Sequence, residues 1–503
     1  MNLSLSPVAT RVINAVVLVL IAVALLIPIW AVERPALLDY PNHLARNYVL
    51  ANIHDPALKL EQYYRADWGP NPYLGMDISL QLLQHLFPIY LAGKIFLSFT
   101  VIAFPAACWW FLRRANPGND WTACLVLLIV YNVLFLEGFV VYELSLAMAF
   151  FSLGWWLTYL RSPNWWKWSL MTALFTAVYF THLVGFIVAG VVVASYVFFS
   201  RNWKQVLWSG VMFVPGVLLY VLSGIGQHNG KEISVRTIYE KVSDGLFTLF
   251  HNYSMPIETL TVWVVLGCVL FAIVRNKEFH WNHPWPAVAF TLLALYAALP
   301  LQIGQTFDVD IRVMMPLFVV SLAAAKIGRR QVGIAAIALA LFFAKQGSIT
   351  ERFIYVQPDL AAWARSFDYI APHSRVLPMV QMEEEDDPIH RPYAHFWAYA
   401  VIDKQVFSPY LFDLKGQTPM RIVHDVYSPD GFWDLDYNEI IRWKQIQDDY
   451  DYVWAYDVGR FARPLQKIGK PIYQSGALVL YRITRQNKKA ALRQPGKPER
   501  ENP

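Results

Sequence analysis

The sequence predicts a membrane all-α fold of about eleven transmembrane helices, followed by a small α/β domain outside the bilayer. Three observations carry that expectation. Apolar residues make up 56% of the 503 residues and charged residues only 16%, where a soluble domain carries about a quarter charged. The apolar residues gather in runs close to the roughly 20 residues of helix that a bilayer core about 30 Å thick requires. The basic residues between the runs fall in every second loop.

The runs are 12–30, 86–112, 121–136, 141–160, 168–181, 183–200, 206–223, 260–274, 284–299, 313–325 and 333–344. The first is longer than the apolar stretch of a signal peptide, and no A-x-A-like site follows it, so it reads as a retained helix. The basic loops carry Arg113 and Arg114, Arg161 and Lys167, Arg201 and Lys204, Arg275 and Lys277, and Lys326, Arg329 and Arg330. Excess Lys and Arg mark the cytoplasmic side. The N-terminus is then cytoplasmic, and the chain beyond residue 347 lies on the opposite face. A missed span would break this alternation.

Three segments follow: a polytopic region over 1–347 with a long outer loop at 31–85, an α/β domain over 348–485, and a polar tail over 486–503. In the α/β domain strands are expected at 369–380, 405–411, 450–456 and 477–483, and helices at 358–366, 393–402 and 434–448. The tail is rich in Lys, Arg, Gln and Pro and reads as disordered. The net charge of +5 comes with no dense basic stripe outside the tail, which excludes a nucleic-acid partner. Cys108, Cys124 and Cys268 all lie within apolar runs. They read as small buried hydrophobes, not as a disulfide framework or a zinc site.

The most informative stretch is Leu38-Asp39-Tyr40-Pro41-Asn42-His43-Leu44-Ala45-Arg46, just after the first run. Pro41 suits the start of a helix, with Tyr40 or Asp39 at the cap. His43 and Arg46 are three apart and share a helix face. A carboxylate, an imidazole and a guanidinium meet where membrane meets water. A carboxylate can take a proton from a hydroxyl, and a guanidinium grips a phosphate with two parallel bonds. Glycosyl transfer from a sugar carried on a lipid phosphate needs both. A capped helix with His43 and Arg46 reaching up to the headgroups is the plainer reading.

Further polar groups collect on the same outer side. Asp308 and Asp310 stand two apart before the tenth run, where they could share a divalent cation or hold sugar hydroxyls, or simply face solvent. Arg312 follows them and reads as a phosphate ligand or an interfacial anchor. Lys94 sits within the second run near the outer interface, suited to a lipid phosphate or to snorkelling. His182 lies at the outer turn between the fifth and sixth runs. Glu137 and Glu143 flank another outer turn. The loop 224–259, with His228, Lys231, Glu232, Arg236 and Lys241, reads as a cover over a lipid-linked donor or as a solvated segment. The acidic run 383–387 reads as a solvated loop. Tyr393, Phe396, Trp397 and Tyr399 suit carbohydrate stacking or a packed helix face.

On these features the chain resembles the bacterial GT-C-type integral membrane glycosyltransferases. That superfamily shares a first span, a long outer loop with a catalytic Asp near its start, many further spans and often an extracytoplasmic C-terminal domain. As architecture the resemblance covers most of the chain; as motif it covers about ten residues around Asp39. It implies an inverting transferase at the periplasmic face of the bacterial inner membrane. Such an enzyme moves a sugar from a polyprenyl-phosphate donor to a cell-envelope acceptor (glycan, lipid or protein). Asp39 is then the catalytic base. Substrate-binding roles for His43, Arg46, Lys94, His182, Asp308, Asp310 and Arg312 come from their placement and not from a family motif. Many relatives set a second acid beside the first, whereas Tyr40 follows Asp39 here. Asp308 and Asp310 would have to compensate from another loop, which leaves a need for Mg or Mn open. Two other classes fit the composition: a transporter or flippase of lipid-linked glycans, and a non-catalytic envelope assembly protein. The runs are free of charge at mid-depth and form no paired halves, which disfavours transport.

Overall fold

The computed structural model describes residues 7–118, 120–225, 232–275, 283–304, 306–325, 331–381, 394–429 and 441–484. The chain is mostly helical. It opens with α1 (Pro7–Trp30), whose apolar residues face outward on most sides, Leu18 and Val19 among them. Such a surface needs lipid or another chain against it. The segment after α1 carries α2 (Tyr40–Asn52), β1 (Tyr64–Ala66) and α3 (Gly75–Gln84) before α4 (Ile89–Ala115).

The third apolar run does not form an α-helix of span length. It is a 3-10 helix over Asp120–Ile129 followed by the single turn α5 (Val133–Leu136). Most of 125–136 is buried, and side chains supplement its short-range backbone bonds. Lys345 Nζ donates to the Leu128 carbonyl (2.9 Å) and Asn132 Nδ2 to that of Ile129 (2.8 Å). Irregular backbone is tolerated at membrane depth only when protein surrounds it in this way.

Next come α6 (Val140–Arg161), α7 (Trp165–Thr181) and α8 (Leu183–Phe199). The seventh run is broken into α9 (Trp203–Val211) and α10 (Val214–Ser223), bent by 41°. Pro215 in the first turn of α10 cannot supply the N–H that a continuous helix would need. The segment after α10 holds β2 (Ile233–Ser234) and α11 (Ile238–Thr248). It is followed by α12 (Met255–Arg275), α13 (Pro284–Ala298), β3 (Gln302–Ile303), α14 (Met314–Ala324) and α15 (Gln331–Arg365). Among the described residues four helices, α1, α4, α6 and α15, are long and apolar enough to cross a membrane, or five if α9 and α10 form one bent span. The other apolar runs form shorter helices. Among the described residues, helix length and composition therefore give four or five candidate spans, against eleven runs in the sequence.

The helix α15 has 35 residues and passes unbroken through position 348, where the sequence suggested a domain boundary. Beyond it lie β4 (Val376–Val380), α16 (Tyr399–Lys404), β5 (Met420–Ile422), α17 (Trp443–Asp449), β6 (Tyr452–Tyr456), α18 (Ala462–Ile468), β7 (Gly469–Ser475) and β8 (Leu478–Ile483). The sheet order is β4-β6-β8-β7, with β4 and β6 parallel and the rest antiparallel. Nearly buried β6 and β8 are its inner strands, and β4, fully buried, takes one edge. Polar β7, with Pro471, takes an edge, where a missing N–H costs least. Its alternation is too polar to have been read as a strand. The stretch 405–411 is not a strand; it makes one bridge, Arg375 with Phe407. The expected helix at 358–366 is the end of α15. Position 393, residues 434–440, the acidic run 383–387, Lys277, Lys326, Arg329, Arg330, His228, Lys231 and the tail 486–503 lie outside the described residues.

The outer loop and the C-terminal region interlock. Strand β1 pairs antiparallel with β5, Arg65 opposite Arg421, and Asp67 and Asp413 both bind the Arg421 guanidinium.

Candidate functional site

Asp39 occupies the N-cap position of α2, yet its side chain makes no capping bond. The backbone is held from elsewhere. Leu38 and Asp39 donate their N–H groups to the carbonyls of Leu136 and Glu137. Gly138 makes that approach possible: its φ is +94°, and a Cβ there would lie 2.7 Å from the Asp39 nitrogen. With Pro41 in the first turn of α2 the helix starts without help from the carboxylate. The carboxylate is left free to face His395.

His395 comes from the C-terminal region. Its Nε2 lies 3.2 Å from Asp39 Oδ1 and its Nδ1 lies 3.0 Å from Asn42 Nδ2. The tautomer follows from the neighbours. Phe412 donates its N–H to Asn42 Oδ1 (2.9 Å), so Asn42 turns its amino group to His395 and to the Tyr410 carbonyl. A ring nitrogen facing a donor accepts, so in the neutral imidazole the proton sits on Nε2, toward Asp39.

One helical turn along α2, Arg46 is fully buried. Its Nε and Nη2 donate to Asp77 Oδ1 of α3 (3.1 and 2.8 Å) and its Nη1 faces His43 Nδ1 (3.2 Å). Asp77 is equally buried. Burial raises its pKa and the Arg46 charge opposes the rise. Burial and the adjacent Arg46 push the His43 pKa well below the ordinary value, so His43 is neutral. Tyr73 lies near His43 Nε2 (3.4 Å), and burial pushes its hydroxyl up to about 12. Its ring is 4.8 Å from that of His182. His182 caps α8 by accepting the Val184 N–H (3.1 Å). The turn it occupies is tied to the outer loop through Leu183 N–H to the Pro72 carbonyl and Leu74 N–H to that of Phe180.

Arg312 closes the cluster. It is only 6% exposed. Its guanidinium lies over Phe139 (4.5 Å) and Tyr142 (5.9 Å), and Nη2 donates to the Phe307 carbonyl (2.9 Å). Its Nε makes no hydrogen bond, and no Asp or Glu pairs with it among the described residues. A buried cation without a carboxylate is expensive, and an anion is what would complete it.

The structure thus brings together Asp39, His43, Arg46, His182 and Arg312, but not the other sequence candidates. Lys94 turns away to the Val32 carbonyl (2.6 Å) and the Trp30 ring. Asp308 and Asp310 are held by basic groups of the 224–259 loop. Arg236 binds Asp308 (2.6 Å) and Lys241 binds Asp310 (2.9 Å), while Asp310 also caps Ile311. These acids fasten α11 over the mouth of α14. Among the described residues no three His, Cys, Asp or Glu side chains gather as metal ligands. Arg46 is fully buried and bound to both Asp77 and His43.

Sequence reasoning missed His395, Asn42, Asp77 and Tyr73. His395 was legible only as a histidine in the apolar stretch Ala394–Ile402, 353 positions from Asn42. Neither a scan against protein-family models nor a search of the curated proteins found a match to this chain.

Proposed function

We propose that the chain is an inverting glycosyltransferase of the bacterial inner membrane. It moves a sugar from a polyprenyl-phosphate donor to a cell-envelope acceptor at the periplasmic face. The observation that supports this best is an uncapped Asp39 carboxylate beside His395, in one cluster with a buried Arg312 that has no carboxylate partner among the described residues.

Each group has a task. Asp39 takes the proton of the acceptor hydroxyl as its oxygen attacks the anomeric carbon. The bond from that carbon to the phosphate oxygen breaks, and polyprenyl phosphate leaves with the electron pair. A single displacement inverts the anomeric centre. Arg312 meets the negative charge that grows on the leaving phosphate. His395 sets its Nε2 against the carboxylate, and Asn42 orients His395. Arg46 and Asp77 form the strut under His43. Tyr73 and His182 line the gap between base and guanidinium.

Release of polyprenyl phosphate from lipid-linked sugars by the purified protein tests the reading. Asp39→Asn should lower turnover by about 10²- to 10⁴-fold, the usual weight of a general base, with unchanged thermal unfolding. Normal turnover in that variant would remove Asp39 from the chemistry.

A transport reading has one specific observation in its favour. Glu143, Asn132 and Lys345 are all buried inside the helical bundle. Ionisable groups in such places often mark transport paths. Silence of the transferase assay in the wild type, together with flux of a lipid-linked glycan in vesicles, would decide for that reading.

A further inference from the structure

The helices α6 and α8 begin beside the Asp39 cluster, at Tyr142 and His182. Their far ends, together with the end of α4, enclose a cavity of about 400 Å³. Two more helices start at its wall, α9 after Asn202 and α13 after His283. Arg114 and Arg161 line the cavity, and no Asp or Glu does.

Local bonds use only part of the two guanidinium groups. Arg114 Nε donates to Thr158 Oγ1 and Nη1 to the Trp110 carbonyl (both 3.2 Å), with the group stacked over the Trp110 ring. Arg161 Nη2 donates to the Arg114 carbonyl (2.7 Å). Neither arginine forms an ion pair with an Asp or Glu among the described residues. The carbonyls that end α4 are met already, since Trp285 Nε1 takes that of Ala115 (3.2 Å). The remaining N–H groups are therefore not needed by the helix end. Two like charges on one cavity repel each other, and a phosphate between them would remove the repulsion and gain charge-assisted bonds. The starts of α9 and α13 add partial positive charge at the same wall.

The position selects the source of that phosphate. Phe198, Phe199 and Trp203, next in sequence to lining residues Ser200 and Asn202, are exposed, so apolar surface for an acyl chain lies close by. Arg113, Arg114, Arg161 and Arg201 belong to the loops whose charge marks the cytoplasmic face. Anionic lipids gather in that leaflet, and basic pockets between spans hold their headgroups.

We propose that this cavity binds the phosphate headgroup of one anionic phospholipid, with Arg114 and Arg161 as its ligands. The site lies at the opposite end of the bundle from Asp39. It needs the membrane placement but not the transferase chemistry.

Native mass spectrometry of the full chain in detergent, with added phosphatidylglycerol or phosphatidylcholine, tests it. One phosphatidylglycerol should be retained roughly tenfold more strongly than phosphatidylcholine. Arg161 is exposed, so Arg161→Gln should leave thermal unfolding unchanged. It should weaken phosphatidylglycerol retention by about fivefold, the weight of one basic residue at an anionic headgroup. Lys204, an exposed cation of α9 outside the lining, is the control, and Lys204→Gln should leave retention as it is. Equal retention of the two lipids by the wild type overturns the proposal. So does retention that Arg161→Gln leaves intact, or an equal loss in both variants, which would make the effect one of general surface charge. Displacement of the lipid by an equal concentration of glycerol phosphate would assign the cavity to a soluble phosphate ester and overturn the lipid.

Discussion

Arg46 and Asp77 form an ion pair in which both side chains are fully buried. Removing one partner of such a pair leaves a charge with neither water nor counter-ion, at a cost of about 3–5 kcal/mol. Arg46→Met should therefore destabilise the protein by that amount in thermal unfolding, and Arg46→Met with Asp77→Leu should recover most of it. If the double variant is no better than the single one, the pair is not the reason for the loss. His43 adds a pH dependence. Its folded-state pKa lies well below the ordinary value, so between those two values the unfolded chain binds a proton that the folded chain does not. Its contribution is fully present above about pH 6.5 and is lost as pH falls toward the folded pKa, at roughly 1 kcal/mol per pH unit. Unfolding temperatures at pH 7.5 and 5.5 should show this slope, and His43→Asn should flatten it.

At the scale of elements, the site depends on close approaches that only small residues permit. A Cβ at Gly93 of α4 would come within 2.1 Å of the Tyr40 hydroxyl, so α2 lies directly on α4. Gly138 supports the Asp39 backbone at a φ that side chains avoid. Gly138→Ala should cost about 1–3 kcal/mol and lower turnover beyond what that loss explains, because Asp39 must move. A variant with wild-type turnover would show that the exact seat of Asp39 does not matter. These small residues carried no signal in the sequence, where a lone Gly in a loop reads as an ordinary turn. Hydropathy also could not separate an α-helical span from the 3-10 stretch at Asp120–Ile129. Both are apolar, and what distinguishes the second is Lys345 reaching in from elsewhere in the bundle, together with Asn132 just past its end.

For the whole molecule, legibility follows sequence distance. Asp39, His43 and Arg46 share a few residues of one helix start, so local spacing revealed them together. His395 sits beside Asp39 only because β1 joins β5 and the outer loop folds onto the C-terminal region, and no local pattern encodes that pairing. The mixed sheet was legible at β6 and β8, where apolar runs are short, and not at polar β7. The sidedness read from the basic loops has a direct check. In a cysteine-free background, Pro163→Cys and Lys470→Cys, both at exposed positions, should label with an impermeant thiol reagent from opposite faces of the membrane. Labelling from one face would overturn the placement of the C-terminal domain.

The unbroken helix α15 has a mechanical consequence. At about 1.5 Å per residue its 35 residues span about 52 Å, far more than a bilayer core of about 30 Å. Its first part is apolar enough to cross a membrane, its last turns belong to the C-terminal region, and Pro358 lies between the two. The outer arm ends at Trp363, whose ring packs against Phe396 (5.7 Å), the neighbour of His395. A tilt of about 10° carries the tip of an outer arm about 20 Å long through about 3 Å, comparable to the 3.2 Å between His395 and Asp39. Bilayer thickness, which biases helix tilt, would then act on the distance between Asp39 and His395.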